Sequence, residues 1–259
     1  MTSTAERATA LLALHTDPRL LTLVNVWDVA SAKVVAATPG TTAIATASHS
    51  VAAAYGYDDN EQIPRDLMLE AVGRIVAAVD LPVTADLEAG YGDAAETVRR
   101  AIALGVVGCN IEDQLRPAAE AAAVVEAVMR AAHDEGVPDF VLNARTDAYL
   151  EAGDRPPADV LADAIERGRA FLDAGAPVVF VPGTVTEPDV VALVDAFGPQ
   201  RLTMLPFPGS PPLGRLQELG VARVSFGPFP QWVAMTALQQ MVEGVLRGED
   251  VPEGTRQLT

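Results

Sequence analysis

A closed α/β barrel of eight parallel strands, a single (β/α)8 domain over residues 1–259, is the fold that three features of the sequence predict. The length of 259 residues matches the roughly 250 that one such barrel requires. The composition is 49% hydrophobic but only 5% aromatic, so a large aliphatic core forms without disulfide or metal staples. Short β-branched runs alternate with stretches of helical period along the whole chain. Such alternation implies parallel strands joined by right-handed crossovers, and eight repeats suit a closed ring better than an open doubly wound sheet.

In chain order the predicted strands are residues 21–27, 42–46, 81–86, 106–113, 140–146, 177–182, 201–205 and 221–226. Between them, helical spacing marks 66–79, 94–104, 118–133, 157–174 and 188–197, and 230–247 reads as the eighth helix. Ser3 with Glu6, Asp93 with Glu96, and Thr186 with Asp189 are N-cap patterns, an oxygen acceptor three residues before an acid. Gly105, Gly175 and Gly220 each precede a strand, where a left-handed residue ends the helix before it. The Pro/Gly-rich segment 206–212 is a strand-to-helix loop.

Charge narrows the function classes. With 18 Lys and Arg against 35 Asp and Glu, the net charge is −17, and phosphate backbones need clustered cations that this chain lacks. Nucleic acid is therefore not an expected partner. The acids are dispersed, as on a solvated surface. The N-terminal residues lack the basic and apolar blocks of a signal peptide, and no apolar run approaches the ~20 residues of a membrane span. A cytoplasmic protein without membrane contact is expected. The single cysteine, Cys109, sits in an apolar run and reads as a buried structural thiol.

Barrel enzymes place their chemistry at the carboxyl ends of the strands. The third strand ends Val83-Thr84-Ala85-Asp86-Leu87-Glu88-Ala89-Gly90-Tyr91-Gly92, putting two carboxylates at i and i+2, the same side of an extended chain. Two acids this close repel unless a cation or shared proton intervenes, and hard divalent ions such as Mg²⁺ take oxygen ligands. The fourth strand ends Asn110-Ile111-Glu112-Asp113, which would bring four acids to one mouth. The fifth, Asn143-Ala144-Arg145-Thr146-Asp147, adds a guanidinium suited to gripping a carboxylate or neutralising developing negative charge. Taken singly, each of these groups could equally cap a helix or pair with a neighbour.

With these segments in this order and spacing, the chain resembles the isocitrate lyase / phosphoenolpyruvate mutase superfamily from Asn25-Val26-Trp27-Asp28 to Arg223-Val224-Ser225-Phe226-Gly227. The resemblance implies that Asp86, Glu88 and Glu112 hold Mg²⁺ directly or through water, and that Asp59 is the acid near the metal. It makes Asp59, Glu112 and Arg145 the catalytic set. Trp27, Ala47, Ser48, Asp86 and Arg145 would contact a small carboxylate substrate, with His49 lining the site. It also implies that the last helix is exchanged between subunits of a homo-oligomer, a dimer or tetramer.

Departures from the superfamily pattern restrict the reaction. The Lys-Lys/Arg-Cys-Gly-His loop of the cleaving lyases is replaced by Gln114-Leu115-Arg116-Pro117-Ala118-Ala119, and Cys109 lies upstream of that loop. Where the mutases carry His and many lyases Glu, this chain has Val181-Pro182-Gly183. What the resemblance leaves is a Mg²⁺-dependent C–C lyase acting on an oxaloacetate-like 2-oxo or 2-hydroxy carboxylate through a metal-bound enolate. The alternatives are phosphorus–carbon chemistry of the phosphoenolpyruvate mutase or phosphonopyruvate hydrolase type, and a non-catalytic carboxylate-binding barrel.

Overall fold

The structure, a computed structural model, describes residues 2–258. The first predicted strand breaks at Val24 into β1 (Leu21–Leu23) and β2 (Asn25–Val26). The others follow as β3 (Ile44–Thr46), β4 (Val83–Asp86), β5 (Gly108–Glu112), β6 (Val141–Arg145), β7 (Val178–Gly183), β8 (Leu202–Pro206) and β9 (Arg223–Ser225). All pair in parallel, in the order β1-β9-β8-β7-β6-β5-β4-β3-β2. Because β1 pairs with β9 while β2 pairs with β3, the two halves of one stave close the ring. The barrel thus has eight staves, as predicted, in nine segments. Strands such as β5 and β7 are buried at every residue, as parallel strands covered on both faces must be.

The helices are α1 (Thr4–Thr16), α2 (Val29–Ala36), α3 (Ser48–Ala54), α4 (Arg65–Ala77), α5 (Ala94–Ala103), α6 (Ala118–Asp134), α7 (Pro157–Asp173), α8 (Glu187–Phe197), α9 (Leu213–Glu218) and α10 (Phe229–Leu246). The six helices read from periodicity fall within a residue or two of their predicted bounds. Ser3 and Glu6 form a complete capping box, and Asp93 accepts from the Glu96 amide. Thr186 occupies the N-cap of α8, but its hydroxyl makes no capping bond. Gly105, Gly175 and Gly220 adopt φ of 94°, 100° and 87°, the conformation expected where each helix stops.

Inside the ring, polar side chains are tied across staves below the rim. Asn143 donates to Asn110 Oδ1 at 2.7 Å and accepts from the Thr203 hydroxyl at 2.5 Å. Asn25 accepts from the Phe226 and Gly227 amides at 2.7 and 2.8 Å, and its own amide donates to the Thr46 carbonyl at 2.8 Å. These bonds join β5, β6 and β8 to one another, and β2 to β3 and to the turn after β9. Cys109 is wholly buried, and burial raises its thiol pKa far above the usual value, so it is a structural residue as expected.

The outer helices pack to contact. A Cβ added at Gly168 of α7 would come within 2.3 Å of the Phe197 ring of α8. Gly168→Ala is therefore expected to destabilise the fold by about 1–3 kcal/mol through overpacking. Urea unfolding followed by circular dichroism measures this, and a change under about 0.5 kcal/mol would show that the helices yield freely.

Candidate active site

At the C-terminal rim, three predicted residues end their strands; Asp86 and Arg145 line one cavity, and Glu112 pairs with Arg145 but is absent from that lining. Asp86, the last residue of β4, stands in register with Asn110 of β5, and Glu112 of β5 with Arg145 of β6. Together with Ser48, Ala47, His49 and Asp59, the residues Asp86, Asn110 and Arg145 line a cavity of about 220 Å³. Ala47 and Ser48 begin α3, directly after β3, so a short strand-to-helix turn carries them to the rim.

Asp86 is held on one side only. Its Oδ2 accepts from the Ser48 amide at 3.0 Å and the Ser48 hydroxyl at 2.8 Å. Its own amide donates to Thr46 Oγ1 at 2.9 Å. Its Oδ1 is buried and has no hydrogen-bond partner, an arrangement that is costly unless something occupies the vacant side.

Arg145 is the hub of the charges beside it. Its Nη1 stands 2.8 Å from Glu112 Oε2, and its Nε donates to Asp147 Oδ1 at 2.7 Å. Burial opposes the guanidinium charge, but Glu112, Asp147 and Asp86 more than offset it and raise its pKa. A single cation does not neutralise this group. Burial, reinforced by Asp147, Asp86 and Glu88 against the attraction of Arg145, pushes Glu112 up to about 8. Glu88 is pushed up to about 7, by burial first and then by Asp86 and Asp59, although hydrogen bonds from Glu61 and Tyr91 oppose the shift.

Three expectations are corrected. Glu88 does not share a strand face with Asp86: β4 ends at Asp86, and Glu88 lies in a left-handed turn at φ 54°. Its carboxylate instead accepts from the Tyr91 hydroxyl at 2.9 Å and from the Glu61 amide. Asp113 leaves the mouth for the helix layer, accepting from the Leu115 and Asp147 amides at 3.0 and 3.1 Å and pairing with Arg167 of α7 at 3.1 Å. Trp27 packs against the core and is absent from the cavity lining.

Among the described residues, no three His, Cys, Asp or Glu side chains converge closely enough to enclose an ion. The donors nevertheless suit Mg²⁺. They are hard oxygens carrying surplus negative charge, and Asp86 presents a free buried oxygen. Mg²⁺ characteristically keeps several waters and takes only one or two carboxylates directly. Sequence reasoning missed the other half of the lining, Phe180, Pro182, Leu205 and Phe207 among it. These are apolar side chains, and nothing in their local pattern separates them from core.

A mouth holding carboxylates and one guanidinium, on the C-terminal rim of a parallel barrel, is the position at which the class of barrel enzymes carries its active sites. Within that class the chain belongs to the phosphoenolpyruvate phosphomutase family, whose model matches residues 11–246. An uncharacterised Mycobacterium tuberculosis protein is 34% identical over 92% of this chain and 90% of its own length. The Escherichia coli 2-methylisocitrate lyase is 34% identical over 71% of this chain and 65% of its own. A Burkholderia cenocepacia structure provisionally described as a phosphonomutase is 42% identical with a TM-score of 0.86, covering 93% of this chain and 99% of that one. Oxaloacetate acetylhydrolase, at 24% identity and a TM-score of 0.86, shares the fold. The family therefore contains both lyases and mutases, built on one barrel.

The raised acids fix a pH dependence. Glu88 and Glu112 ordinarily titrate near 4.5 and are pushed to about 7 and about 8 in the folded protein. The folded state then binds more protons than the unfolded state between these values, so their stabilising contribution is complete below the ordinary value and lost as pH rises through 7 to 8. Metal-free protein should melt several degrees lower at about pH 8.5 than at about pH 5.5. Glu88→Gln should flatten the part of the profile near neutrality. A melting temperature that rises over this range would refute the burial assigned to these carboxyls.

Proposed function

We propose that the protein is a cytoplasmic, Mg²⁺-dependent C–C bond lyase acting on a small 2-oxo or 2-hydroxy carboxylate of the oxaloacetate type. The observation that carries this reading is the unpartnered buried Oδ1 of Asp86, set among carboxyls that one guanidinium leaves under-neutralised. Asp86 would hold the ion directly, with Glu88 and Glu112 acting through water. When bound, Mg²⁺ supplies Lewis-acid polarisation of the 2-oxygen and charge for the electrons released by bond cleavage.

The protein's own groups supply the rest. Ser48 fixes the Asp86 carboxylate through its amide and hydroxyl, so the ligand oxygen does not reorganise during the reaction. Arg145, held by Glu112 and Asp147, is oriented to bind the substrate carboxylate or to stabilise negative charge appearing beside it. Glu112, paired with Arg145 at 2.8 Å, would be one of the carboxyls that exchange a proton with the reacting acid. Asp59, on the cavity wall, would be the second carboxyl for proton transfer.

A second reading, phosphorus–carbon chemistry, is favoured by the description of the family model and by the Burkholderia structure. Against it, Arg145 is the one guanidinium among the described cavity residues, with no lysine beside it to share a phosphoryl group. A binding-only barrel would have little use for this concentration of buried charge. Phosphorus NMR of phosphonopyruvate incubated with the protein and Mg²⁺ distinguishes the two chemistries.

A second copy of this chain is the proposed cover for α10. That helix exposes Val233 at 70% and Leu246 at 82%, with Trp232, Met235, Leu238 and Val242 also exposed, more apolar surface than an isolated subunit ordinarily presents. Val233→Glu is expected to shift the mass in light scattering from oligomer to monomer. A wild-type protein that runs as a monomer would reject the assembly.

A panel of 2-oxo and 2-hydroxy acids, with and without chelator, tests the reaction. Asp86→Ala should abolish Mg²⁺-dependent turnover, a loss of at least about 10³-fold, while circular dichroism and melting remain close to wild type. Turnover that survives chelator, or a wild type that leaves the whole panel untouched, would sink the proposal.

A further inference from the structure

Arg145 is aimed by Asp147, and Asp147 is itself held from the helix layer outside the barrel. The Arg145 Nε donates to Asp147 Oδ1 at 2.7 Å. The Asp147 amide donates to Asp113 Oδ1 at 3.1 Å, and Asp113 Oδ2 accepts from Arg167 Nη1 of α7 at 3.1 Å. Arg167 turns its Nε to Asp163 Oδ1, one turn earlier in the same helix, at 2.6 Å. The other oxygen of Asp163 accepts from Arg155 Nη1 at 2.8 Å, and Arg155 Nη2 returns to the rim, donating to the Ala148 carbonyl at 2.6 Å. The circuit thus leaves the mouth at Asp147 and comes back to it at the next residue. Asp163 stands at its midpoint and does not line the cavity.

We propose that Asp163 is a positioning residue for Arg145, fixing the orientation in which the guanidinium meets an anionic substrate. The inference rests on the reading of Arg145 as the contact for the substrate carboxylate and names what aims it. Two guanidinium groups on separate oxygens hold the Asp163 carboxylate in one geometry. Partial burial raises its pKa, but Arg155 and Arg167 more than offset that and keep it below the usual value, so it is ionised at neutral pH. Without it, Arg167 and Arg155 lose a shared anchor at once. The stretch between their rim contacts, which carries Asp147 and leads into the cavity-lining Leu150, is then free to shift. Arg145 would be left to Glu112, whose single contact with Nη1 at 2.8 Å does not fix the plane of the guanidinium as two contacts do. Arg167 is unsuited as the probe, because its loss would strand the Asp113 carboxylate, whose side chain is 1% exposed. The Asp163 side chain, at 24% exposed, can be changed at less risk to the fold.

Calorimetric titration of oxalate in saturating Mg²⁺, with Mg²⁺ titrated alone beside it, reads this without requiring turnover. Asp163→Asn is expected to weaken oxalate about 10-fold, the usual scale for removing a group that orients a ligand-binding residue. Mg²⁺ alone should bind as in the wild type, because Asp86 is held by Ser48, outside the circuit. Plain electrostatics has the opposite sign, since deleting a negative charge near the mouth draws an anion in more tightly. Asp163→Glu, which keeps the charge and both oxygens, should recover most of the loss. In the ligand-free protein, hydrogen exchange over residues 147–155 should quicken in Asp163→Asn while β6 stays protected.

If the wild type binds oxalate and Asp163→Asn binds it equally or more tightly, the positioning role is overturned and the Mg²⁺–carboxylate site stands. If the variant loses Mg²⁺ and oxalate in parallel, or if exchange over residues 147–155 is unchanged, Asp163 does not act through Arg145 and the assignment again falls. If the wild type fails to bind oxalate with Mg²⁺ present, the reading of the site is refuted and the positioning role with it.

Discussion

Surplus negative charge in a confined rim is the constraint around which the rest of the structure is arranged. Asp86, Glu88, Glu112, Asp147 and Asp59 act electrostatically on one another around a single guanidinium, Arg145. Within a low-dielectric mouth such an imbalance is costly. The protein relieves it in part by distributing the acids among different partners: Glu112 and Asp147 to Arg145, Glu88 to Tyr91 and Glu61, Asp86 to Ser48. What remains unrelieved is concentrated at Asp86 Oδ1 and in the raised carboxyls, and a divalent cation is the simplest species that would complete the neutralisation.

The frame that sustains this charge lies beside it, Asn110 standing in register with Asp86. The Asn25, Asn110, Asn143 and Thr203 bonds satisfy the polar atoms of the inner layer across several staves, and a satisfied network of this kind favours one arrangement over its neighbours. The split of the first stave at Val24 permits closure, because one half reaches β9 while the other reaches β3. With register fixed there, Glu112 and Arg145 meet side by side on adjacent strands. Asp86, Glu112 and Arg145, as the last residues of their strands, gain the rigidity of the barrel.

The division of the mouth into a charged half and a hydrocarbon half relates the family to the individual chain. In the charged half, Asp86 and Arg145 stand at the rim, whereas Glu88 and Asp113 turn to other partners. Of the Val181-Pro182-Gly183 segment, Pro182 lines the apolar side of the cavity.

Much of this was written in the local sequence. Strand and helix periods, the Ser3 and Asp93 caps and the terminating glycines depend on contacts a few residues apart, so the eight-stave barrel and the rim positions of Asp86, Glu112 and Arg145 could be read directly. The tertiary structure alone decided the rest. Asp113 is drawn from the mouth by Arg167, 54 residues away. Glu88 turns aside because the chain leaves extended geometry immediately after Asp86. Trp27 packs inward, and Phe180 and Leu205 become a cavity wall rather than core because closure of the ring aims them there. Periodicity specifies which residues share a face; which groups meet across it is set by ring closure and strand register, and these arise only from pairings between distant segments.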